Sequence, residues 1–287
     1  MTDARVFDDR PCFLGEGPLW HPEREQLFWF DIIGRTLLTR KDGETGAWTF
    51  DDMVSAAGWI DKDNLLIASE TALLKLDIET RTREIIATLD LGEGLRTNDG
   101  RADPWGGFWF SSMSKKAEKD AGAIYRYYRG EVKKLFSSIT IPNAICFSPD
   151  RALGYFADTD RGFVKRVALD LETGLPMGEP EIHLDLKPEG LNPDGAVIDA
   201  EGNMWLAQWG AGRVAVHDPS GKLLKAVSVS APHTSCPAFG GADFSTLYCT
   251  TAREGLDAEA LAAHPGSGNV FFAQGVGRGR PEPAVII

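Results

Sequence analysis

Four oxygen-bearing side chains stand within two residues of a glycine or proline in a chain of 287 residues. They are Glu16 in "GEGPLW", Asn98 in "RTNDG", Asn143 in "IPNA" and Asp194 in "NPDG". Glycine lets a backbone bend sharply or approach a ligand, and proline stiffens it. Two carboxylates with one or two amide oxygens, if brought together, make a hard, oxygen-only site. It suits Ca²⁺, Mg²⁺ or Mn²⁺ and accepts Zn²⁺ or Fe²⁺. The two negative charges balance one divalent ion. Water or substrate must complete its coordination, and an ion held in this way polarises a carbonyl and acidifies bound water. Asn and Asp ahead of glycine are also ordinary turn formers. That reading leaves Glu16, a poor turn former, unexplained.

The elements that must position these residues are short strands. Apolar-aromatic runs such as "QLFWFDI", "GFWFSSM", "LGYFADT" and "NMWLAQW" are bounded by Gly, Asp and Asn turns, and helical periodicity is scarce. Each run is followed by a third strand, a hairpin turn such as "DGETG" or "DLETG", and a fourth strand. A period of about 40–50 residues with four strands per unit marks a β-propeller. Six units fill the chain, so the fold class is all-β, a six-bladed β-propeller in a single domain over residues 1–287. One blade cannot bury both its faces, so the ring must close. The N-terminal strand "ARVFDD" is expected to complete the sixth blade.

The units align on the elements "LWHPE", "WIDKD", "RADPW", "CFSPD", "VIDAE" and "AFGGA", the outgoing end of each innermost strand. Five positions before the third residue of each stand Glu16, Ala56, Asn98, Asn143, Asp194 and Ser235. Equivalent positions converge on one end of a propeller's channel. Glu16, Asn98, Asn143 and Asp194 are therefore predicted to meet. His21 reads as a turn residue beyond its strand, and Trp105 and Trp209 read as packing between blades.

Other chemistries find little support. The net charge is -12 with no basic run, which argues against nucleic acid and anionic membrane as partners. No apolar stretch is long enough to span a bilayer, and "MTDARVFDDRPCF" lacks a signal-peptide core, so the chain reads as cytoplasmic. Cys12, Cys146, Cys236 and Cys249 form no CxxC pair and read as buried, reduced thiols. The five histidines show no HxH or HExxH spacing, which disfavours a histidine-built zinc site. A closed ring needs no oligomeric partner for its stability.

"GEGPLW", "RTNDGRADPWGGFWF", "IPNAICFSPD", "NPDGAVIDAEGNMWLAQW" and "CPAFGGADFSTLYCTTAR" resemble the signatures of the senescence-marker-protein/gluconolactonase/regucalcin family, in the family's order and over nearly the whole chain. The resemblance implies a six-bladed propeller that binds one catalytic divalent metal and hydrolyses a sugar lactone. It places the metal ligands at Glu16, Asn143 and Asp194, the three that the repeat register also selects. It places substrate contacts at Arg96 and Asn98, and by position at Glu118 in "AEKDAGAIYRY". It makes Asp194 the proton acceptor.

Two functional readings follow. The first is a metal-dependent lactonase acting on an aldonolactone such as gluconolactone, arabinonolactone, xylonolactone or galactonolactone, with the sugar lactone its small-molecule partner. The second is a calcium-binding regulatory protein without turnover, a role attributed to animal relatives. No EF-hand loop is present, and a small open site is a poor buffer. A propeller scaffold for protein partners would need no inward carboxylates.

Overall fold

The apolar runs become strands, and the turns between them set their length. In the computed structural model, which describes residues 2–287, they assemble into six antiparallel sheets, the blades of a six-bladed β-propeller. The first blade runs outward from Gly15–His21 through Gln26–Asp31 and Thr36–Lys41 to Glu44–Thr49. The other innermost strands are Val54–Asp61, Leu95–Ala102, Pro142–Phe147, Asn192–Ile198 and Thr234–Gly240. They pack side by side around the central channel. Helix among the described residues is confined to Ala258–Ala263 and a 3₁₀ turn at Lys187–Glu189.

The cores lie between blades. Phe28, Trp48 and Leu65 fill the space between the first and second blades. Trp109, Ile124 and Phe156 fill that between the third and fourth, and Trp205, Phe239 and Leu247 that between the fifth and sixth. Burying a side chain of this kind is worth about 1.5–3 kcal/mol, more than the net worth of a typical hydrogen bond, about 0.5–1.5 kcal/mol. A lone blade would leave this surface in water, which is why the ring closes.

Closure takes the expected route. Arg5–Asp8 pairs antiparallel with Val270–Gln274 as the fourth strand of the sixth blade. Ahead of it, Thr2–Asp3 pairs parallel with Leu223–Ser228 at the edge of the fifth blade. The N-terminal segment thus ties two blades together. The chain after Gln274 has no regular structure and crosses the opposite face of the propeller. There Ala200 N–H donates to Arg278 O (2.9 Å), Arg280 donates to Phe147 O (3.2 Å) and Ile286 N–H donates to Gly106 O (2.8 Å).

The four cysteines are buried and free, as expected. His21 differs from expectation. It is the last residue of its strand, buried, with Nε2 3.0 Å from the Asp61 carbonyl oxygen of the second blade. Its ring joins two blades at the outgoing end, and its Nδ1 also accepts from Arg24 N–H (3.4 Å) in the turn that follows. The departure from expectation is only that His21 ends the strand rather than lying beyond it.

Candidate functional site

Every innermost strand is interrupted by a bulge at the same place. The ladder to the second strand shifts after Glu16, Thr97, Asn143, Pro193 and Thr234, and between Val54 and Ala56. A bulge sets two residues against one and re-aims side chains. Here it brings Glu16, Asn98, Asn143 and Asp194 into the lining of one cavity of about 640 Å³ at the channel mouth. The sequence register is thereby realised in space. Of the other two register positions, Ser235 donates to Gly15 O (2.5 Å), and Ala56 joins the core between the second and third blades.

The two glycines around Glu16 have separate causes. A Cβ on Gly15 would collide with the Thr251 carbonyl oxygen of the sixth blade. Gly17 has φ +52°, and a Cβ there would strike the Ser55 carbonyl oxygen of the second blade. Both neighbouring blades therefore close directly on the Glu16 backbone. Its carboxylate leaves the bulge at a fixed angle, accepting from Gly17 N–H (3.2 Å). Gly195 after Asp194 serves the same end: a Cβ there would overlap the Cys236 side chain.

Arg96, Asn98, Asn143 and Thr159 form a directed hydrogen-bond chain across three blades. Thr159 Oγ1 donates to the Pro193 carbonyl oxygen (2.6 Å), which can only accept, so its lone pairs receive Asn143 Nδ2–H (2.8 Å). That orients Asn143 Oδ1 towards Asn98, whose Nδ2 donates to it (2.9 Å) and to Pro142 O (3.0 Å). Asn98 Oδ1 is left to accept from Arg96 Nη1 (2.7 Å). Both amide orientations thus follow from carbonyls that cannot donate. Arg96 Nη1 also donates to Thr97 O (2.9 Å).

Glu16 and Asp194 are both buried. Burial, then repulsion from Asp99, pushes the Glu16 carboxyl up to about 8. Burial, then the charges of Glu16 and Asp99, raises the Asp194 carboxyl well above the usual carboxylate range. Asp99 points away from the cavity, accepting from Ile145 N–H (2.7 Å) and Gly100 N–H (2.9 Å). Two buried carboxylates facing one cavity are a costly arrangement, and Arg96 sets one positive charge against the two. The Asn143 oxygen, with a second lone pair beyond the one that Asn98 uses, completes a set of hard donors. These residues fit a divalent ion by charge and by donor chemistry. Among the described residues no cluster of three or more His, Cys, Asp or Glu side chains gathers, so any ion here needs the amide.

Glu118 is placed apart. It is exposed, it does not line the cavity, and its Oε2 accepts from Ser114 Oγ (3.1 Å). Lys115 and Lys116 of the same loop do line the cavity, and Lys115 pairs with Glu70. Trp105 packs on the opposite face, its Nε1 donating to Leu171 O (3.0 Å) under the Arg151 guanidinium. Trp209 lines the cavity and stacks on His233, with ring centroids 4.2 Å apart and planes 17° from parallel. Thr159 and Glu254 also line the cavity and escaped the sequence register, because both lie outside the innermost strands.

Residues 14–253 match the family model described as the SMP-30/Gluconolactonase/LRE-like region. The crystal structure of a calcium-binding protein, regucalcin, from Agrobacterium tumefaciens is similar with a TM-score of 0.97 and 41% identity, covering 100% of this chain and 98% of that one. The 6-deoxy-6-sulfogluconolactonase of Pseudomonas putida is 33% identical over 268 residues, 91% of each chain. A pentonolactonase of Haloferax volcanii is 34% identical over 291 residues, 98% of this chain and 97% of its own.

Proposed function

Since the chain belongs to the SMP-30/gluconolactonase/LRE-like family, we propose that it hydrolyses a sugar lactone to the open-chain aldonate with one divalent metal ion. The observation that carries this reading is the pairing of two buried carboxylates with an amide oxygen whose direction is fixed, beside a cationic Arg96 in the same cavity. Glu16, Asn143 and Asp194 would hold the ion, which when bound supplies a Lewis acid for the lactone carbonyl.

The chain's own residues do the rest. Arg96, anchored through Nη1, offers the remainder of its planar fork to substrate oxygens. Asn98 orients both Arg96 and Asn143 and lies beside the substrate. Asp194 takes a proton from the water that attacks the carbonyl carbon. It returns that proton to the ring oxygen as the carbon–oxygen bond breaks. Glu118 is the outlying contact, near substrate groups that project past the Lys115–Lys116 loop. The relatives' names point to six-carbon and five-carbon sugar lactones as the substrates to try.

A calcium-binding role without turnover would use the same donors. A cavity of about 640 Å³ with an arginine in its lining favours an organic substrate over an ion alone. The test is a panel of fresh glucono-, arabinono-, xylono- and galactonolactones, given to metal-stripped protein with single ions added back. Metal-dependent acceleration over spontaneous ring opening is the expected result. Metal-dependent melting with no acceleration on any lactone would favour the binding role.

A further inference from the structure

Arg101 lies three residues beyond Asn98 on Leu95–Ala102, buried below the floor of the cavity. Its Nε donates to Ile145 O (3.0 Å) and its Nη2 to Ala196 O (3.0 Å). Ile145 is two residues past Asn143, and Ala196 is two past Asp194. Both strands are bulged at these points, where the regular ladder is interrupted. One guanidinium therefore bridges the innermost strands of the third, fourth and fifth blades, directly behind Asn98, Asn143 and Asp194. Asp99 completes the join by accepting from Ile145 N–H (2.7 Å), so both backbone groups of Ile145 are held from the third blade.

The remaining nitrogen, Nη1, pairs with the Glu282 carboxylate, which comes from the C-terminal segment across the far face. Glu282 is itself fixed to the second blade. Its carbonyl accepts from Trp59 Nε1 (2.8 Å), and Val285 N–H donates to Trp59 O (2.7 Å). Each of the three nitrogens is bound to a different element. We propose that Arg101, clamped by Glu282, is a positioning residue: it sets the spacing of the three strands that carry Asn98, Asn143 and Asp194. This rests on the reading of the site as a metal-dependent lactonase centre.

The physical case is geometric. A propeller blade is anchored mainly to its neighbours, and six stacked interfaces leave the channel spacing to whatever crosses it. Catalytic groups must be held within about 0.5 Å to work well, and that demands support behind the groups themselves. A planar fork can hold two carbonyls at once, whereas a lysine ammonium is a single point on a flexible stem. The Glu282 charge allows the arginine to be buried, since an unpaired buried charge is strongly unfavourable.

The decisive variant is the double replacement Arg101→Met with Glu282→Leu. It removes the two paired charges together and nearly keeps the buried volume, so neither strands the other. Asp99, which also faces Arg101, keeps its Ile145 and Gly100 N–H donors and can take up a proton. We expect near-native melting, a metal affinity lowered about 10–100-fold and a similar fall in kcat, with KM changed far less. Arg101→Lys should fail to restore either. Glu282→Gln, which keeps an acceptor, should fall between wild type and the double variant. Hydrogen exchange on the metal-free proteins reports the clamp without metal or turnover. The non-proline amides of Pro142–Phe147 and Asn192–Ile198 should exchange faster in the double variant, and those of the first and sixth blades should not. If the double variant exchanges, binds metal and turns over like wild type, the pair is only a tie between the tail and the ring. Failure of the wild type to turn over any lactone would count against the lactonase reading alone, and the exchange comparison would still decide the clamp.

Discussion

Asn98 Nδ2 lies 2.9 Å from Asn143 Oδ1, joining the third and fourth blades at the cavity floor. The bond has a definite sense because Thr159 must donate to Pro193 O and so accepts from the other side of the Asn143 amide. Thr159→Val removes that anchor with little change of shape. It should weaken metal binding about 10–100-fold, the usual cost of losing a group that orients a ligand. Asn143→Ala should weaken binding further in a protein that still folds. Calorimetric titration with Ca²⁺ or Mn²⁺, with circular dichroism for the fold, checks both.

Arg96→Lys separates binding from metal capture. Arg96 bonds to Asn98 Oδ1 and Thr97 O, and neither contact requires the metal. A lysine would give up the bidentate grip on substrate oxygens. KM should rise, and metal affinity should change little. An unchanged KM across the lactone panel would make Arg96 structural.

Trp209 is predicted to offer a second surface to the substrate, although it also packs against the core between the first two blades. Its ring is braced by His233 at the cavity wall. Flat aromatic faces pack on the C–H face of a sugar, and a favourable ring contact is worth about 0.5–1.5 kcal/mol. Trp209→Ala should therefore raise KM about 3–10-fold, with kcat held. Trp209→Phe should keep most of the affinity. Steady-state kinetics on one lactone settles the order.

The fold and much of the site were legible in the sequence for one reason: a repeat can be registered against itself. Glu16, Asn98, Asn143 and Asp194 share one register position, and the ring brings that position to a single mouth. What a repeat does not contain could not be read. Thr159 follows the second strand of its blade and Glu254 follows the second strand of the last, off the register line. The glycines of "NDG" and "PDG" look like turn formers, yet Gly100 and Gly195 lie inside strands: a Cβ on Gly100 would crowd the Trp109 carbonyl oxygen of its own blade, and one on Gly195 would overlap Cys236 of the sixth. The tail "RPEPAVII" has no periodicity, so nothing in it announces that Glu282 meets Arg101. Loop side chains such as Glu118 carry no register either.

His217 predicts acid sensitivity away from the site. Its ring ends the strand Arg213–His217, is buried, and has Nδ1 without a hydrogen-bond partner. Burial, then the nearby charges of His183 and Arg213, pushes it down to about 4 from 6.5. Between those values the unfolded chain binds the proton and the folded chain does not. Stability therefore falls as pH drops from about 6.5 towards 4 and is unaffected by this residue above 6.5. His217→Leu should flatten that part of the curve. Urea unfolding at pH 7, 6, 5 and 4 for both proteins would show it, and parallel curves would contradict it.

We expect Glu16 and Asp194 to share a metal but divide its work. Glu16 is held by closing blades on both sides, which suits it to be the rigid ligand. Asp194, which lines the cavity with Asn98 and Asn143, is proposed as ligand and base. Asp194→Asn keeps an oxygen for the metal and loses the base, at a cost of about 10²–10⁴ in rate. Glu16→Gln weakens the metal site first, so excess ion should recover part of its activity. The direct measurement is kcat at saturating metal for both variants, with bound metal counted. The expected outcome is a metal-loaded, nearly inactive Asp194→Asn and a Glu16→Gln that excess metal revives. An Asp194→Asn that turns over like wild type, or a metal-loaded Glu16→Gln that stays inactive while excess metal restores Asp194→Asn, would contradict it.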